Sequence, residues 1–377
     1  MNTAAEDFLL EGGGVNISAL PKVSLHDHLD GGLRPQTIIE LADAVGLDLP
    51  ATDVSTGLSA SAALGEWFST NADSGSLVEY LKTFDVTTGV MQTKEGLERV
   101  AREFVQDLHA DGVIYGEIRW APEQHLTRGL TLDQAVEAVQ EGLEAGVDDV
   151  RRTGGRIRVG QLVSAMRHAD RGLEIAELAV RHRDNGVVGF DIAGAEAGFP
   201  AGRMRDAFDY LAQHFLPVTV HAGEADGIDS IRGALFDGRA LRLGHGVRIA
   251  EDIDIDSEDE ENTYVTLGPV AEWVKNREIA LELSPSSNLQ TNAWGTELID
   301  HPFDLLYQLG FRVTVNTDNR LMSNTSLSRE LSLLSDTFGY DLGDLRVFQL
   351  NAAAAAFLPV EDREELADAI HAGFEQA

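Results

Sequence analysis

Short apolar runs alternate along this chain with longer stretches whose apolar residues recur at helical spacing. Val23 and Leu25 belong to the first run, which starts at Pro21 and reads as a strand. Pro35 opens a helical pattern over Thr37-Ile-Ile-Glu-Leu-Ala-Asp-Ala-Val, and Gly46 ends it. The small, polar segment Thr52 to Leu64 reads as a loop. Leu77, Tyr80, Leu81 and Phe84 then recur at helical spacing, and Thr93 to Ala110 gives a further helix. Beyond this excursion, strand-like runs (Val113 to Arg119, Ile157 to Val163, Val187 to Ile192, Pro217 to His221, Leu241 to His245, Ile279 to Leu283, Arg312 to Asn316) follow in order. Helical patterns at Leu132 to Arg152, Leu173 to Arg183 and Arg203 to His214 separate the earlier ones. With the opening run the strands number eight. Parallel neighbours need crossover helices, so the pattern predicts an α/β fold, a closed (β/α)8 barrel of the TIM type. A helical insertion follows the first strand, and the helical stretch from Asn351 onward caps the barrel. An open, doubly wound sheet is the competing architecture, but no early G-x-G-x-x-G loop supports it. No linker or internal repeat divides the chain, so residues 1–377 are expected to form one domain.

Active groups in such barrels sit at the C-terminal ends of the strands, so the polar residues closing each strand matter most. The first strand ends in His26 and His28. Residues two apart on a strand share a face, so both imidazoles converge while Asp27 points elsewhere. Later strands run into Asp191-Ile-Ala-Gly194, His221-Ala-Gly-Glu224, Gly244-His245-Gly246, Ser284-Pro-Ser-Ser-Asn288 and Asn316-Thr-Asp318-Asn319. Each has a plainer reading: His221 as a hydrogen-bonded histidine of the barrel mouth, Glu224 as a helix N-terminal charge, His245 as a tight-turn residue, Asp318 as a helix cap. Their joint occurrence at one rim points instead to a metal site. The remaining histidines, His109, His125, His168, His182, His214, His301 and His371, read as structural or surface residues.

Composition narrows the chemistry. The 377 residues are 43% hydrophobic, with a net charge of -34. Such a surface repels nucleic acid and anionic membranes. Cysteine is absent, which excludes disulfides, thiolate ligands and a cysteine nucleophile; zinc would have to be held by His and carboxylate. Met1 to Gly14 has no basic or apolar signal character, and no apolar run approaches membrane-spanning length. A cytoplasmic protein is expected. The acidic run Glu251 to Glu261 reads as a solvated loop. It lacks the central glycine of a calcium loop. Nothing in the sequence speaks to oligomeric state.

Leu25-His-Asp-His-Leu-Asp-Gly, His221-Ala-Gly-Glu, Leu243-Gly-His-Gly and Asn316-Thr-Asp together resemble the adenosine deaminase family of metal-dependent amidohydrolases. The likeness runs in order from about Pro21 to about Pro359, and Ser76-Leu-Val-Glu-Tyr-Leu-Lys-Thr-Phe-Asp is similar to that family's helix beside the substrate entrance. The resemblance implies one zinc per chain, held by His26, His28, His221 and Asp318, that activates water against C6 of a purine nucleoside. It also implies that His245 and Asp318 orient the attacking oxygen and that Glu224 protonates N1. Gly194 would meet N3 through its backbone N–H, Asn319 would meet N7, and His28 and Asp30 would lie near the ribose 5′ hydroxyl. The implied partners are a purine nucleoside and water. Two positions depart from the family pattern: Asn319 where relatives often carry aspartate, and Ser284 where they often carry cysteine. Adenine or an aminofutalosine-type purine is the alternative substrate. A two-metal amidohydrolase of another kind often uses a carbamylated lysine, yet Lys22, Lys82, Lys94 and Lys275 are the only lysines, and none closes a strand at the rim.

Overall fold

The computed structural model describes residues 8–10, 14–50, 58–258 and 263–377. Ten strands are present among them: β1 Lys22–His28, β2 Val113–Trp120, β3 Arg158–Met166, β4 Val187–Ala193, β5 Thr219–Ala222, β6 Arg242–His245, β7 Ile253–Glu258, β8 Thr263–Leu267, β9 Ala280–Leu283 and β10 Val313–Val315. Two four-stranded parallel sheets run β1-β2-β3-β4 and β10-β9-β6-β5. They join at both edges. Phe190 N–H donates to Pro217 O at 3.0 Å, and across the β1–β10 seam His28 N–H donates to Asp318 O at 2.8 Å and Asp318 N–H donates to His26 O at 2.9 Å. The eight strands anticipated from the sequence therefore close into a cylinder.

Helices coat the outside because their apolar stripes match the outward strand residues. Lys94–Ala110 buries Leu97, Val100, Ala101, Phe104, Val105 and Leu108, and Thr93 caps it by accepting from Gly96 N–H. Leu132–Arg152 carries a reciprocal capping box between Thr131 and Gln134. Pro35–Val45 ends at Gly46, whose φ of 67° is left-handed, as its glycine suggested.

Three sequence readings need correction. The expected loop Thr52 to Leu64 is already helical from Ala60, where Ser59 caps Ala60–Ala72; residues 52–57 lie outside the described residues. The acidic run is ordered in part: Ile253–Glu258 pairs antiparallel with Thr263–Leu267, whose interleaved apolar residues the acidic composition masked. Residues 259–262 lie outside the described residues, as do residues 1–7 and 11–13 of the N-terminal stretch. Helices Pro269–Asn276, Pro285–Gln290 and Phe303–Gln308 also went unread, being too short for a clear period.

Leu342–Ala355 and Val360–Glu375 close the barrel at the end opposite the rim. Gln349 Oε1 accepts from Val23 N–H at 2.8 Å, and Arg242 Nη1 donates to Ala355 O at 2.8 Å. Phe357 N–H donates to Glu117 Oε1 at 2.6 Å, while the Phe357 ring lies 3.7 Å from the Arg242 guanidinium carbon. Among the described residues no helix is long and apolar enough to cross a membrane.

Candidate active site

Inside the barrel the strands present charges, not a purely apolar core. Glu117 and Arg119 share the inward face of β2, joined by Asp191, Arg242 and Glu282, all at most 1% exposed. Glu282 is the hub. It accepts from Arg242 Nε at 2.6 Å, Arg119 Nη2 at 2.8 Å, Thr219 Oγ1 at 3.1 Å and His26 Nδ1 at 3.0 Å. Burial alone would raise its carboxyl, but the Arg119 and Arg242 charges and the His26 hydrogen bond hold it well below the usual range.

At the rim the donors of His26, His28, His221 and Asp318 all lie within 4.8 Å of one another, and all four residues are buried. His28 Nε2 is 3.2 Å from His221 Nε2, and Asp318 Oδ1 is 3.3 Å from both His26 Nε2 and His28 Nε2. Donors bound at ~2.0–2.2 Å from one centre are themselves spaced roughly 3.0–3.6 Å apart.

The donor set fits a divalent metal for a second reason. Glu282 accepts from His26 Nδ1, and Asp191 Oδ2 accepts from His221 Nδ1 at 2.9 Å. A carboxylate oxygen cannot donate, so each ring keeps a proton on Nδ1 and directs Nε2 inward. His26 Nε2 is buried with no hydrogen-bond partner. Burial pushes His28 well below the ordinary imidazole range, and His221 below it, despite the Asp318 and Asp191 carboxylates. His26 differs: against burial and Arg119, the neighbouring Asp318 and Glu282 carboxylates hold it above that range, so a cation in the cluster competes with its proton. Asp318 stays ionised, held well below the carboxylate range by His26 and the neighbouring imidazoles although burial opposes this. Two backbone devices keep the cluster tight. His245 and Asp318 both adopt left-handed conformations, with φ of 61° and 56°. Gly244 passes so close to His221 that a Cβ there would sit 3.1 Å from the His221 Cα.

Glu224 and His245 adjoin the same point; with Asp318 they form a second set of converging ligand atoms. Glu224 is not a helix N-terminal charge, because the next helix begins at Ile228. Its loop is strapped from below. Glu196 accepts from the backbone N–H groups of Gly223, Glu224, Ala225 and Asp226 at 2.6–3.0 Å. Glu224 Oε1 is buried without a partner. Burial, with the Asp318 and Glu196 charges, pushes this carboxyl well above the usual range, so it can carry a proton near neutrality. Asp318 is not a helix cap either, since the next helix starts at Leu327; Ser287 Oγ donates to its Oδ2 at 2.6 Å.

These groups open into one cavity of about 420 Å³, the size of a small-ligand site. Leu77, Leu81 and Phe84 of the inserted segment cover one side, while Met166 and Gly194 form another. Gly194 has φ of 94°, open to glycine alone without strain. Asp30 and Asn319 also face this cavity. Asp30 Oδ1 has no partner, and burial raises its carboxyl to about 7. Asn319 packs so closely on Gly31 that any Cβ at Gly31 would collide with the amide. All the candidate residues named from the sequence thus converge. Glu282, Glu196, Ser287, Asn288 and His301 were not singled out for such positions. A lone Glu within Ala-Leu-Glu-Leu, and Glu117 two residues before Arg119, were the available signals for a charged barrel interior.

The adenosine deaminase family model matches residues 21–373. The chain belongs to the adenosine deaminase family. The adenosine deaminase 1 of Streptomyces coelicolor is 56% identical over 348 residues, covering 92% of this chain and 85% of that protein. The adenosine deaminase of Mycobacteroides abscessus is 52% identical over 355 residues, covering 94% and 95%. Among solved structures, an adenine deaminase from Arthrobacter aurescens superposes with a TM-score of 0.80 at 22% identity, covering 95% of this chain and 100% of that one. An amidohydrolase from Burkholderia ambifaria with bound Zn gives 0.80 at 21% identity over 99% and 98%. Both show the shared barrel, and the His26/His28/His221/Asp318 cluster could hold a metal ion.

Proposed function

We propose that this chain hydrolyses adenosine and 2′-deoxyadenosine to inosine and 2′-deoxyinosine plus ammonia, with a single Zn²⁺ held by His26, His28, His221 and Asp318. The supporting observation is one buried locus at which the protonatable carboxyl of Glu224, its Oε1 without a partner, adjoins a four-donor metal cluster. When bound, zinc lowers the pKa of water and so supplies the nucleophile near neutral pH. The protein's own groups do the rest. Glu224 delivers its proton to purine N1, which breaks the aromaticity of the ring and leaves C6 electrophilic. His245 and the Asp318 carboxylate orient the attacking oxygen toward C6. As the tetrahedral carbon collapses, the proton of the attacking oxygen passes to the amino group, the C6–N bond breaks, and ammonia leaves a C6 carbonyl. Gly194 N–H donates to N3, and the Asn319 amide donates to N7 without needing to be protonated. Asp30, a buried carboxyl on the cavity wall whose Oδ1 has no hydrogen-bond partner, accepts from the 5′ hydroxyl near His28 and favours a nucleoside over a free base. The inserted roof excludes water from the bound base. Residues 1–377 act as one catalytic unit, and the relatives' activity on nucleosides fits a cytoplasmic salvage role with no nucleic-acid or membrane partner. Purified protein should lower the absorbance at the adenosine maximum as ammonia is released, assayed beside adenine and an aminofutalosine. Turnover of adenine alone would overturn the substrate assignment.

A further inference from the structure

The short helix Pro285–Gln290 places two adjacent side chains against the reaction centre. Ser287 reaches Asp318. Asn288 reaches His245, with Nδ2 3.0 Å from His245 Nδ1. The direction of that second bond is fixed by its surroundings. Ser284 N–H points at Asn288 Oδ1 at 3.4 Å, and a backbone N–H can only donate, so the atom it meets is the amide oxygen. On the far side, Phe303 N–H donates to His301 Nδ1 at 3.1 Å. The His301 proton therefore sits on Nε2, which lies 3.2 Å from the same Asn288 Oδ1. Two independent backbone donors thus orient the amide the same way, and its NH₂ is left facing His245. An amide NH₂ cannot accept, so His245 Nδ1 must be bare and its proton must be on Nε2. His245, Asn288 and His301 are at most 2% exposed, so bulk water has little access to reverse the chain. His245 Nε2 lies 3.6 Å from Glu224 Oε2, beside the metal cluster.

We propose that Asn288 and His301 are positioning residues that hold His245 as its Nε2–H tautomer, so that neutral His245 meets the attacking oxygen as a hydrogen-bond donor and not as a base. Proton uptake from the attacking oxygen then falls to the carboxylates: Asp318, and Glu224 once its own proton has passed to N1. The consequence for rate rests on the deaminase reading; the tautomer does not. No bond is made or broken at His245. The imidazole keeps its proton and its place, and the amide's work is to forbid the other tautomer, in which Nε2 would be bare.

The test is a long-range ¹H–¹⁵N spectrum of ¹⁵N-histidine-labelled, zinc-loaded protein, with the His245 ring identified as the spin system lost in His245→Gln. The expected spectrum shows an unprotonated Nδ1 and a protonated Nε2. Asn288→Asp puts an acceptor opposite Nδ1 and should draw the proton there, with kcat falling roughly 10²-fold while KM and zinc content stay within a few-fold. His301→Leu should lower kcat in the same sense through loss of the amide's anchor. His301→Gln, which can still donate to Asn288 Oδ1, should retain most of the rate that His301→Leu loses. This pair keeps the test open should Asn288→Asp fail to fold. A wild-type spectrum with the proton on Nδ1 overturns the inference. So does an Asn288→Asp enzyme whose tautomer shifts at unchanged kcat. Wild-type protein that shows the expected tautomer yet turns over no adenosine would sink the functional reading and leave the tautomer standing.

Discussion

Replacing Glu282 by Gln tests whether the charged barrel interior and the metal centre are one system. The substitution keeps the shape and removes one charge and one acceptor oxygen. Glu282 takes four donors, two on each oxygen: His26 Nδ1 and Arg119 Nη2 on Oε2, Arg242 Nε and Thr219 Oγ1 on Oε1. Whichever way the new amide turns, its NH₂ faces two of these donors. At ~1–3 kcal/mol for each buried donor left unpaired, and with two arginines losing a carboxylate they hold at full burial, the loss is about 3–5 kcal/mol. An unfolding entropy of about 2.1 cal/mol/K per residue over 377 residues converts this to a Tm lowered by ~4–6 °C. If the amide turns its NH₂ to His26, that ring loses the acceptor fixing its Nδ1–H form, and zinc affinity falls ~10–100-fold. Thermal melts in excess zinc and in chelator, with competition titration against a chelator of known affinity, separate the two effects. A Glu282→Gln protein that melts like the parent and holds zinc as tightly would refute the argument.

Glu224→Gln keeps the cavity shape but removes the proton donor; kcat should fall by ~10²–10⁴ with zinc content unchanged by metal analysis, and near-parental turnover would exclude Glu224 as the N1 acid. Asn319→Ala should raise KM and lower kcat for adenosine, and unchanged values in steady-state kinetics would remove its contact with the base. Burial lowers His125 from 6.5 to about 4, so the folded ring stays neutral where an unfolded one takes up a proton; its contribution to stability is intact above pH 6.5 and is lost as pH falls toward 4, by ~3 kcal/mol. His125→Gln, able to keep the hydrogen bond to Met91 O, should flatten that slope in denaturant titrations at pH 7 and pH 5, and an unaltered slope would assign acid sensitivity elsewhere. Chelation should abolish turnover and lower Tm, both restored by zinc, since three imidazoles and a carboxylate are otherwise left facing one another.

The rim was legible because barrel chemistry gathers at strand ends, where a polar residue interrupts an apolar run. His26, His28, His221, His245 and Asp318 each close such a run, and the first two share a face by the period of a strand alone. The interior was not legible in the same way. Glu282 and Arg242 lie in different strands, and only their meeting inside a closed cylinder makes a charged pair tolerable there. Asn288 and His301 gave no periodic signal either. Their significance lies in which atom of each meets a backbone N–H.

The order of elements, the eightfold alternation and the choice of His and carboxylate as candidate metal donors follow from local sequence, because hydrophobic period and residue chemistry are local properties. Which protons sit on which ring nitrogens, why the Glu224 carboxyl is pushed up while that of Asp318 is held down, and why the acidic run pairs as a ribbon were decided by tertiary structure. Burial and hydrogen-bond direction depend on neighbours far apart in the chain: Asp318 meets three imidazoles, while Glu224 is buried beside other carboxylates.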